Sequence, residues 1–433
     1  MDSNEIDEVD RKSDEEKNAG RRSGLLQGFL LGVLLMLAIC SVGVAVIYRN
    51  GMLIINTDSG IYMNSRSDSA YENMGMGSKA AQKLNLIDKV LDSFYFDDVD
   101  DEQVLDNICK AYVNSYGDKY TTYYTAEEYA KFNEANSGEY CGIGVVVRKN
   151  DDGNILVVEP YDGSPGKEAG IRKNDVIISV NGEAIADKDL SNIVARIKGK
   201  EGTTVDVGIK REGVDDTINM TITRRKVEVK TVTYEMLENS IGYISIDEFD
   251  KVTAQQFKNG YDDLKSQGMK GLIVDIRSNP GGLLSTVIDM LDEILPDGLI
   301  LYTEDKYGKR VEYNGNNPNV ADVPIAVLVD EGSASASEIF AGAIQDYGMG
   351  TIIGTQTFGK GIVQETRRIS DGSAIKFTIS KYYTPKGQDI HGHGVTPDVV
   401  VELSEEFKNL TEYDEKKDNQ LQTAISVLQE KIN

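Results

Sequence analysis

Three runs of small residues carry the groups that hydrolytic chemistry needs. The first, Ser278-Asn279-Pro280-Gly281-Gly282, follows the apolar run 271–276 and precedes an apolar-periodic stretch from Leu283 to Leu295. The second runs from Asp330 to Glu338 as DEGSASASE, after the apolar run Val323 to Val329. The third is Phe358-Gly359-Lys360-Gly361-Ile362-Val363-Gln364. In the first two, a strand is expected to end in a loop that opens a helix. Backbone N–H groups gathered at a helix N-terminus suit a developing negative charge. A serine there is a candidate nucleophile, provided a base takes its proton. The only histidines, His391 and His393, lie in a Gly-rich run, and either would complete a Ser-His-Asp arrangement. Lys360 is the other candidate base. An ordinary lysine has a pKa of about 10.4, which leaves about 1 in 2,500 neutral at pH 7. Burial among apolar groups lowers that value and frees the amine. Taken singly, the loops have plainer readings: serines before helices act as N-caps, and Gly-Lys-Gly holds a solvated lysine.

The elements that must position these loops read as α/β. Ile241 to Ile246, Gly271 to Arg277, Val323 to Val329 and Thr351 to Gly354 are strand runs. Helical stretches alternate with them at Ala254 to Gln267, at Leu283 to Leu295 and up to Tyr347. Upstream, from Glu139 to Arg225, the pattern is short strands and turns, with Val145 to Val147, Ile155 to Val158 and Asp175 to Val180 closed by Asn181-Gly182. Asp187 to Lys198 reads as a helix with Leu190, Ile193, Val194 and Ile197 on one side. Further upstream, Leu84, Ile87, Leu91 and Phe94 share one helical face, and Val104, Leu105, Ile108 and Tyr112 share another.

The β-rich stretch resembles a PDZ domain. The matching text is Gly142-Ile143-Gly144-Val145, Ser164-Pro165 with Ala169-Gly170-Ile171, and Asn174-Asp175-Val176-Ile177 with Asn181-Gly182. The resemblance implies that an extended peptide adds a strand beside Gly144 to Val147. Backbone N–H groups of Gly142, Ile143, Gly144 and Val145 would hold its terminal carboxylate.

The larger order of motifs resembles the carboxy-terminal processing proteases, also called tail-specific proteases. It rests on Arg277 to Gly282, Glu331 to Ala343, Thr357 to Gln364, His393 to Asp398 and the PDZ-like segment, and covers roughly residues 80 to 403. Ser278 departs from it, standing where the family often has Asn. The resemblance implies Ser335 as nucleophile, Lys360 as general base and Gln364 as the residue that orients the lysine. It implies an oxyanion hole built from the N–H groups of Ala336 and of Gly281, Gly282 being the less favoured alternative to Gly281, with Ser333 and Ser337 as decoys and Glu338 as a supporting residue. The implied fold is an α/β peptidase core of the ββα-superhelix, ClpP/crotonase-like kind, with an inserted PDZ-like domain. The implied partners are protein or peptide substrates with free C-terminal tails, and a second copy in a homodimer. No cofactor is implied, and the His391-x-His393 pair has no nearby carboxylate cluster to complete a metal site.

Composition sets limits around this reading. The chain has 433 residues, 46 Lys+Arg against 71 Asp+Glu and a formal charge of −25, which argues against nucleic acid as a partner. Three Cys and two His argue against a disulfide scaffold and against His/Cys zinc sites. Gly24 to Ile47 is uncharged over 24 residues, roughly 36 Å as a helix and enough to cross a bilayer. Arg11, Lys12, Lys17, Arg21 and Arg22 precede it and Arg49 follows closely, so the N-terminus is expected in the cytoplasm and the body outside. A cleaved signal peptide ending near Gly43-Val44-Ala45 is the competing reading.

The expected organisation is an acidic cytoplasmic tail at 1–23, a single-pass cell-membrane anchor at 24–48 and a linker at 49–78. A helical segment at 79–138, the PDZ-like domain at 139–225, the peptidase core at 226–403 and a charged surface helix or tail at 404–433 follow. The competing functions are a non-catalytic, membrane-tethered peptide-binding scaffold and a His-based serine hydrolase.

Overall fold

The computed structural model describes residues 36–37, 53–56, 60–63, 75–150, 152–185, 188–316, 320–410 and 413–432. The acidic tail, the anchor apart from Met36 and Leu37, and most of the linker lie outside them. Among the described residues no helix is long and apolar enough to cross a membrane.

The chain divides into two units, Met1–Asp100 and Asp101–Asn433, so the boundary falls inside the helical stretch 79–138. In the first unit, β1 (Leu53–Asn56) and β2 (Gly60–Met63) pair antiparallel. There α1 (Met76–Phe94) buries none of its residues. The second unit opens with α2 (Asp101–Asn114), β3 (Thr122–Tyr124) and α3 (Ala126–Ser137). A capping box starts α3: Thr125 Oγ1 accepts the Glu128 N–H at 3.2 Å, and Glu128 Oε2 accepts the Thr125 N–H at 2.9 Å.

The chain enters a β-rich module through β4 (Glu139–Gly142). The module contains β5 (Val145–Lys149), β6 (Ile155–Pro160), α4 (Pro165–Glu168), β7 (Val176–Val180), β8 (Glu183–Ala184), α5 (Leu190–Ile197), β9 (Thr204–Lys210) and β10 (Ile218–Thr223). Its main sheet runs β10-β9-β7-β6-β5, which leaves β5 at an edge. The expected helix from Asp187 is described from Leu190, where Asp189 caps it; Asp187 lies outside the described residues. Ile143, Val157, Ile177, Ile193, Ile197, Val207 and Ile209 fill the core. The chain leaves through β11 (Arg225–Glu228), which pairs antiparallel with β4, so entry and exit form one two-stranded ribbon.

The body is mixed α/β. It continues with β12 (Val232–Leu237), β13 (Ile241–Ile246), α6 (Thr253–Ser266), β14 (Gly271–Asp275), α7 (Leu284–Asp292), β15 (Gly298–Asp305) and β16 (Arg310–Gly315). Then come β17 (Ile325–Val329), α8 (Ala336–Tyr347), β18 (Gly350–Gly354), β19 (Ile362–Arg368), β20 (Ala374–Tyr383), β21 (Val399–Val400), α9 (Glu405–Lys408) and α10 (Asn419–Ile432). One sheet runs β12-β13-β14-β17-β18-β21, parallel from β13 onward; a second runs β16-β15-β20-β19, with β3 added to β20.

Side chains on β14 and β17 alternate between the two faces of their sheet. Leu272, Val274, Ile325, Val327 and Val329 join Phe257, Val287 and Phe340 on one side. Ile273, Ala326 and Leu328 meet Leu421, Ala424 and Leu428 on the other. One face of the C-terminal helix α10 is therefore core, while α9 and the opposite face of α10 stay at the surface, as expected from their charge. Arg277 fastens α10: the guanidinium reaches Asp275 at 2.5 Å and Asp418 at 2.8 Å, and all three are largely buried. Cys109 and Cys141 are both free and partly buried.

Candidate active site

The loop after β14 and the loop after β17 are tied to one another by buried polar groups. Asn279 is fully buried: its Nδ2 donates to Ile246 O at 2.7 Å, and its carbonyl accepts the Ala334 N–H at 3.0 Å. Asp330 accepts the Ser278 N–H at 2.7 Å and the Ser278 hydroxyl at 3.0 Å.

These ties separate the three serines of the second loop. Ser333 Oγ donates to Ile276 O at 2.7 Å and Ser337 Oγ to Asn279 O at 2.9 Å, and both side chains are buried. Ser335 alone lines the cavity beside the loops, and its hydroxyl donates to no group among the described residues. Its backbone sits at φ 56°, ψ −110°, a conformation that costs a non-glycine residue about 1–3 kcal/mol. The surroundings hold that strain, and Gly281 is part of how. A Cβ on Gly281 would come within 2.6 Å of Ala334 O and 2.8 Å of Ser335 Cβ, so only glycine lets the loops close.

Glu338 joins the serine loop to the lysine loop. The side chain is fully buried and accepts four hydrogen bonds. Its Oε2 takes the N–H groups of Ser335 at 2.9 Å and Lys360 at 2.8 Å; Oε1 takes the Thr357 hydroxyl and the Gly359 N–H, each at 2.6 Å. The buried Tyr382 hydroxyl repeats the link, 3.0 Å from Ser335 O and 2.9 Å from Lys360 O. Burial raises the pKa of that hydroxyl and keeps its proton in place.

Lys360 is partly buried and lines the same cavity as Ser335. Burial holds its ammonium below the ordinary lysine value. The charges of Lys376 and Lys119 push in the same direction, and Glu338 opposes them. The Lys360 Nζ lies 5.1 Å from the centroid of the Tyr120 ring. Gln364 also lines the cavity, but its Nε2 donates to Tyr120 O at 2.5 Å rather than to the lysine. Gln364 thus holds the backbone of Tyr120, whose ring lies beside Lys360. Neither His391 nor His393 lines this cavity; the 391–394 run packs behind the glycines that flank Lys360.

The expected oxyanion donors need one correction. The Ala336 N–H, in the first turn of α8, has no acceptor among the described residues. The Gly281 N–H, in contrast, donates to Asn279 Oδ1 at 2.9 Å, and the neighbouring Gly282 N–H has no acceptor among the described residues. The side-chain amide of Asn279 was visible in the motif, but nothing local said which N–H it would occupy.

The cavity holds about 420 Å³. It is lined by Pro280, Gly281, Gly282 and Leu283, by Phe132, Asn133 and Asn136 of α3, and by Gln364 and Thr366 of β19 and Lys376 of β20. Glu338 is legible in its motif as a supporting residue, whereas Tyr120, Tyr382 and Lys376 carry no local signal. Among the described residues no cluster of three His, Cys, Asp or Glu is placed to hold a metal.

In the PDZ-like module, Ile143 O accepts the Gly166 N–H at 2.7 Å and Gly144 O accepts the Tyr161 N–H at 2.9 Å. The N–H groups of Ile143 and Gly144 have no acceptor among the described residues. The Ile143 side chain is core. Gly144 has φ +70°, and a Cβ there would overlap Ser164 Cβ, so glycine is needed for the loop itself.

Residues 240–401 match peptidase family S41, and residues 141–222 match the PDZ domain. The chain is 35% identical over 397 residues to a probable CtpA-like serine protease of Staphylococcus aureus (strain MSSA476), covering 90% of this chain and 75% of that one. It is 38% identical over 333 residues to the carboxy-terminal processing protease CtpA of Bacillus subtilis (strain 168), covering 77% and 71%. A solved structure, the photosystem II D1 C-terminal processing protease, is similar at 29% identity and a TM-score of 0.43, covering 69% of this chain and 81% of that one.

Proposed function

Since the chain belongs to peptidase family S41, as a serine protease of the carboxy-terminal processing kind, we propose that it cuts peptide bonds with a Ser335–Lys360 dyad. The observation that carries this reading is the shared cavity: an unengaged serine hydroxyl and a lysine of depressed pKa, on loops tied by Glu338. Neutral Lys360 Nζ takes the proton as Ser335 Oγ attacks the carbonyl carbon. The N–H groups of Ala336 and Gly282 face the oxyanion. Lys360 then returns the proton to the leaving amine, and an acyl-enzyme forms on Ser335. In the second half, Lys360 draws a proton from water, which attacks the ester; the bond to Ser335 Oγ then breaks, Lys360 returns the proton to that oxygen, and the new carboxylic end of the peptide leaves. Gln364 and Tyr120 position the lysine. The core would be of the ββα-superhelix, ClpP/crotonase-like kind, and the working form a homodimer. A peptidase assay on the full-length chain tests the dyad: Ser335→Ala is expected to abolish cleavage, and retained cleavage would point to the scaffold or to another nucleophile.

The protein is also proposed to work outside the cell membrane on exported proteins, held by an anchor at 24–48. The uncharged run and its basic N-terminal flank support this. Protease added outside intact cells is then expected to degrade the body and spare the N-terminal tail. A body protected until the membrane is broken would overturn the topology.

Substrate tails are proposed to bind as a strand beside β5, with the free N–H groups of Ile143 and Gly144 on the terminal carboxylate. Amidating a peptide's C-terminus removes the charge and turns a donor toward donors. Binding to the Ser335→Ala protein is expected to weaken about 10- to 150-fold, the equivalent of losing a charge-assisted hydrogen bond. Equal binding of acid and amide would mean that this module does not read tails. Substitution of Gly144 is a poorer test, because it distorts the loop against Ser164.

A further inference from the structure

We propose that Lys376 is a specificity-determining residue of the catalytic cavity, which selects peptides carrying an acidic side chain near the scissile bond. The inference rests on the Ser335–Lys360 reading and names the substrate class that this site prefers. Lys376 lies on β20 opposite Thr366 of β19. Gln364 is two residues from Thr366, so the pleat points all three side chains to one face, and all three line the cavity with Ser335.

Aromatic faces hold the ammonium. Lys376 Nζ is 5.6 Å from the Tyr124 ring centroid and 5.2 Å from that of Phe132, and these two rings stack with centroids 5.1 Å apart. Ring faces orient a lysine without using up its N–H donors. Among the described residues no carboxylate lies within ion-pair distance of Lys376. In contrast, Lys110, which like Lys376 is partly buried, is paired with Glu128 at 2.7 Å. Leaving aside Lys360, which acts as the neutral base, the cavity has Lys251 and Lys376 against one acidic side chain, Glu248, in a chain whose formal charge is −25. A local excess of positive charge with unused donors is matched by a carboxylate.

The groups bearing on Lys360 are Lys376 from β20, Lys119 and the Tyr120 ring from the segment before β3, and Glu338 from α8. Removing the Lys376 charge takes away one influence that keeps the base neutral. The ascending limb of the pH–rate profile must then move to higher pH.

The test uses the full-length chain and pairs of peptides that differ only by Glu or Gln at each position flanking the cleaved bond. Both members share one C-terminus, so recruitment by the PDZ-like module cancels. At one position Glu is expected to give a kcat/KM about 10-fold above Gln, mainly through KM. Lys376→Met is expected to bring that ratio near one and to shift the pH limb upward; Lys376→Arg is expected to keep both. No Glu/Gln difference at any position in the wild-type chain would overturn the inference, and so would an unchanged ratio in Lys376→Met. Ser335→Ala run on the same peptides separates the two readings: cleavage by that variant sinks the dyad, whereas indifferent cleavage by the wild type sinks only the role of Lys376.

Discussion

Lys360→Ala is expected to lower kcat for peptide cleavage by at least about 1,000-fold, in the upper part of the range for a lost general base. The loss should approach that of Ser335→Ala, since nucleophile and base act as a unit. Lys360→Arg is not expected to restore activity, because a guanidinium stays protonated. The pH dependence gives an independent readout. A base must be neutral to accept a proton, so kcat/KM should rise with pH and level off above the lysine's pKa. Burial and the nearby lysine charges depress that pKa, so the midpoint should lie below the ordinary lysine value. Whatever activity remains in Lys360→Ala should lack this limb. Full activity in that variant would disprove the assignment. Loss on replacing His391 or His393 with the fold intact would favour a histidine base instead, although neither side chain lines the cavity.

Glu338→Gln is expected to cost both activity and stability, because of how its four bonds are arranged. Each carboxylate oxygen receives two donors. A glutamine can keep one oxygen, but its NH2 group then faces two donors. Leaving two buried donors unpaired costs about 2–6 kcal/mol in total. A carboxylate that merely favoured the helix N-terminus would cost about 0.3–1 kcal/mol when neutralised. The two accounts are therefore separable by the denaturation midpoint of full-length protein. Activity should fall about 100-fold or more, since Ser335 and Lys360 are then no longer held by one group. A Glu338→Gln protein with wild-type stability and turnover would reduce Glu338 to an ordinary first-turn acid.

Much of this site could be read along the chain. The serine and lysine loops announce themselves because the requirement is local: a strand must end, small residues must turn, and a helix must begin. The same holds for the alternation on β9 and for the helix at Leu190–Ile197. The charge of the C-terminal helix describes only its outer face; Leu421, Ala424 and Leu428, at helical spacing, form the face that is covered. Charge on one face of a helix does not say whether a sheet covers the other.

What the sequence determined by itself was the inventory: Ser335, Lys360 and Gln364 as chemical types in glycine-flanked loops, and the order of the modules that carry them. The tertiary structure alone decided how those groups are spent. It engages the hydroxyls of Ser333 and Ser337 and leaves that of Ser335 open. It assigns the Gly281 N–H to Asn279 and leaves that of Gly282 without an acceptor among the described residues. It brings Tyr382 and Lys376 from distant parts of the chain to one cavity and sets the Tyr120 ring beside Lys360. The physical reason is that propensity and periodicity act over a few residues. Hydrogen bonds between Gln364 and Tyr120, or Tyr382 and Ser335, instead join groups whose distance is set by strand register and by the packing of whole elements.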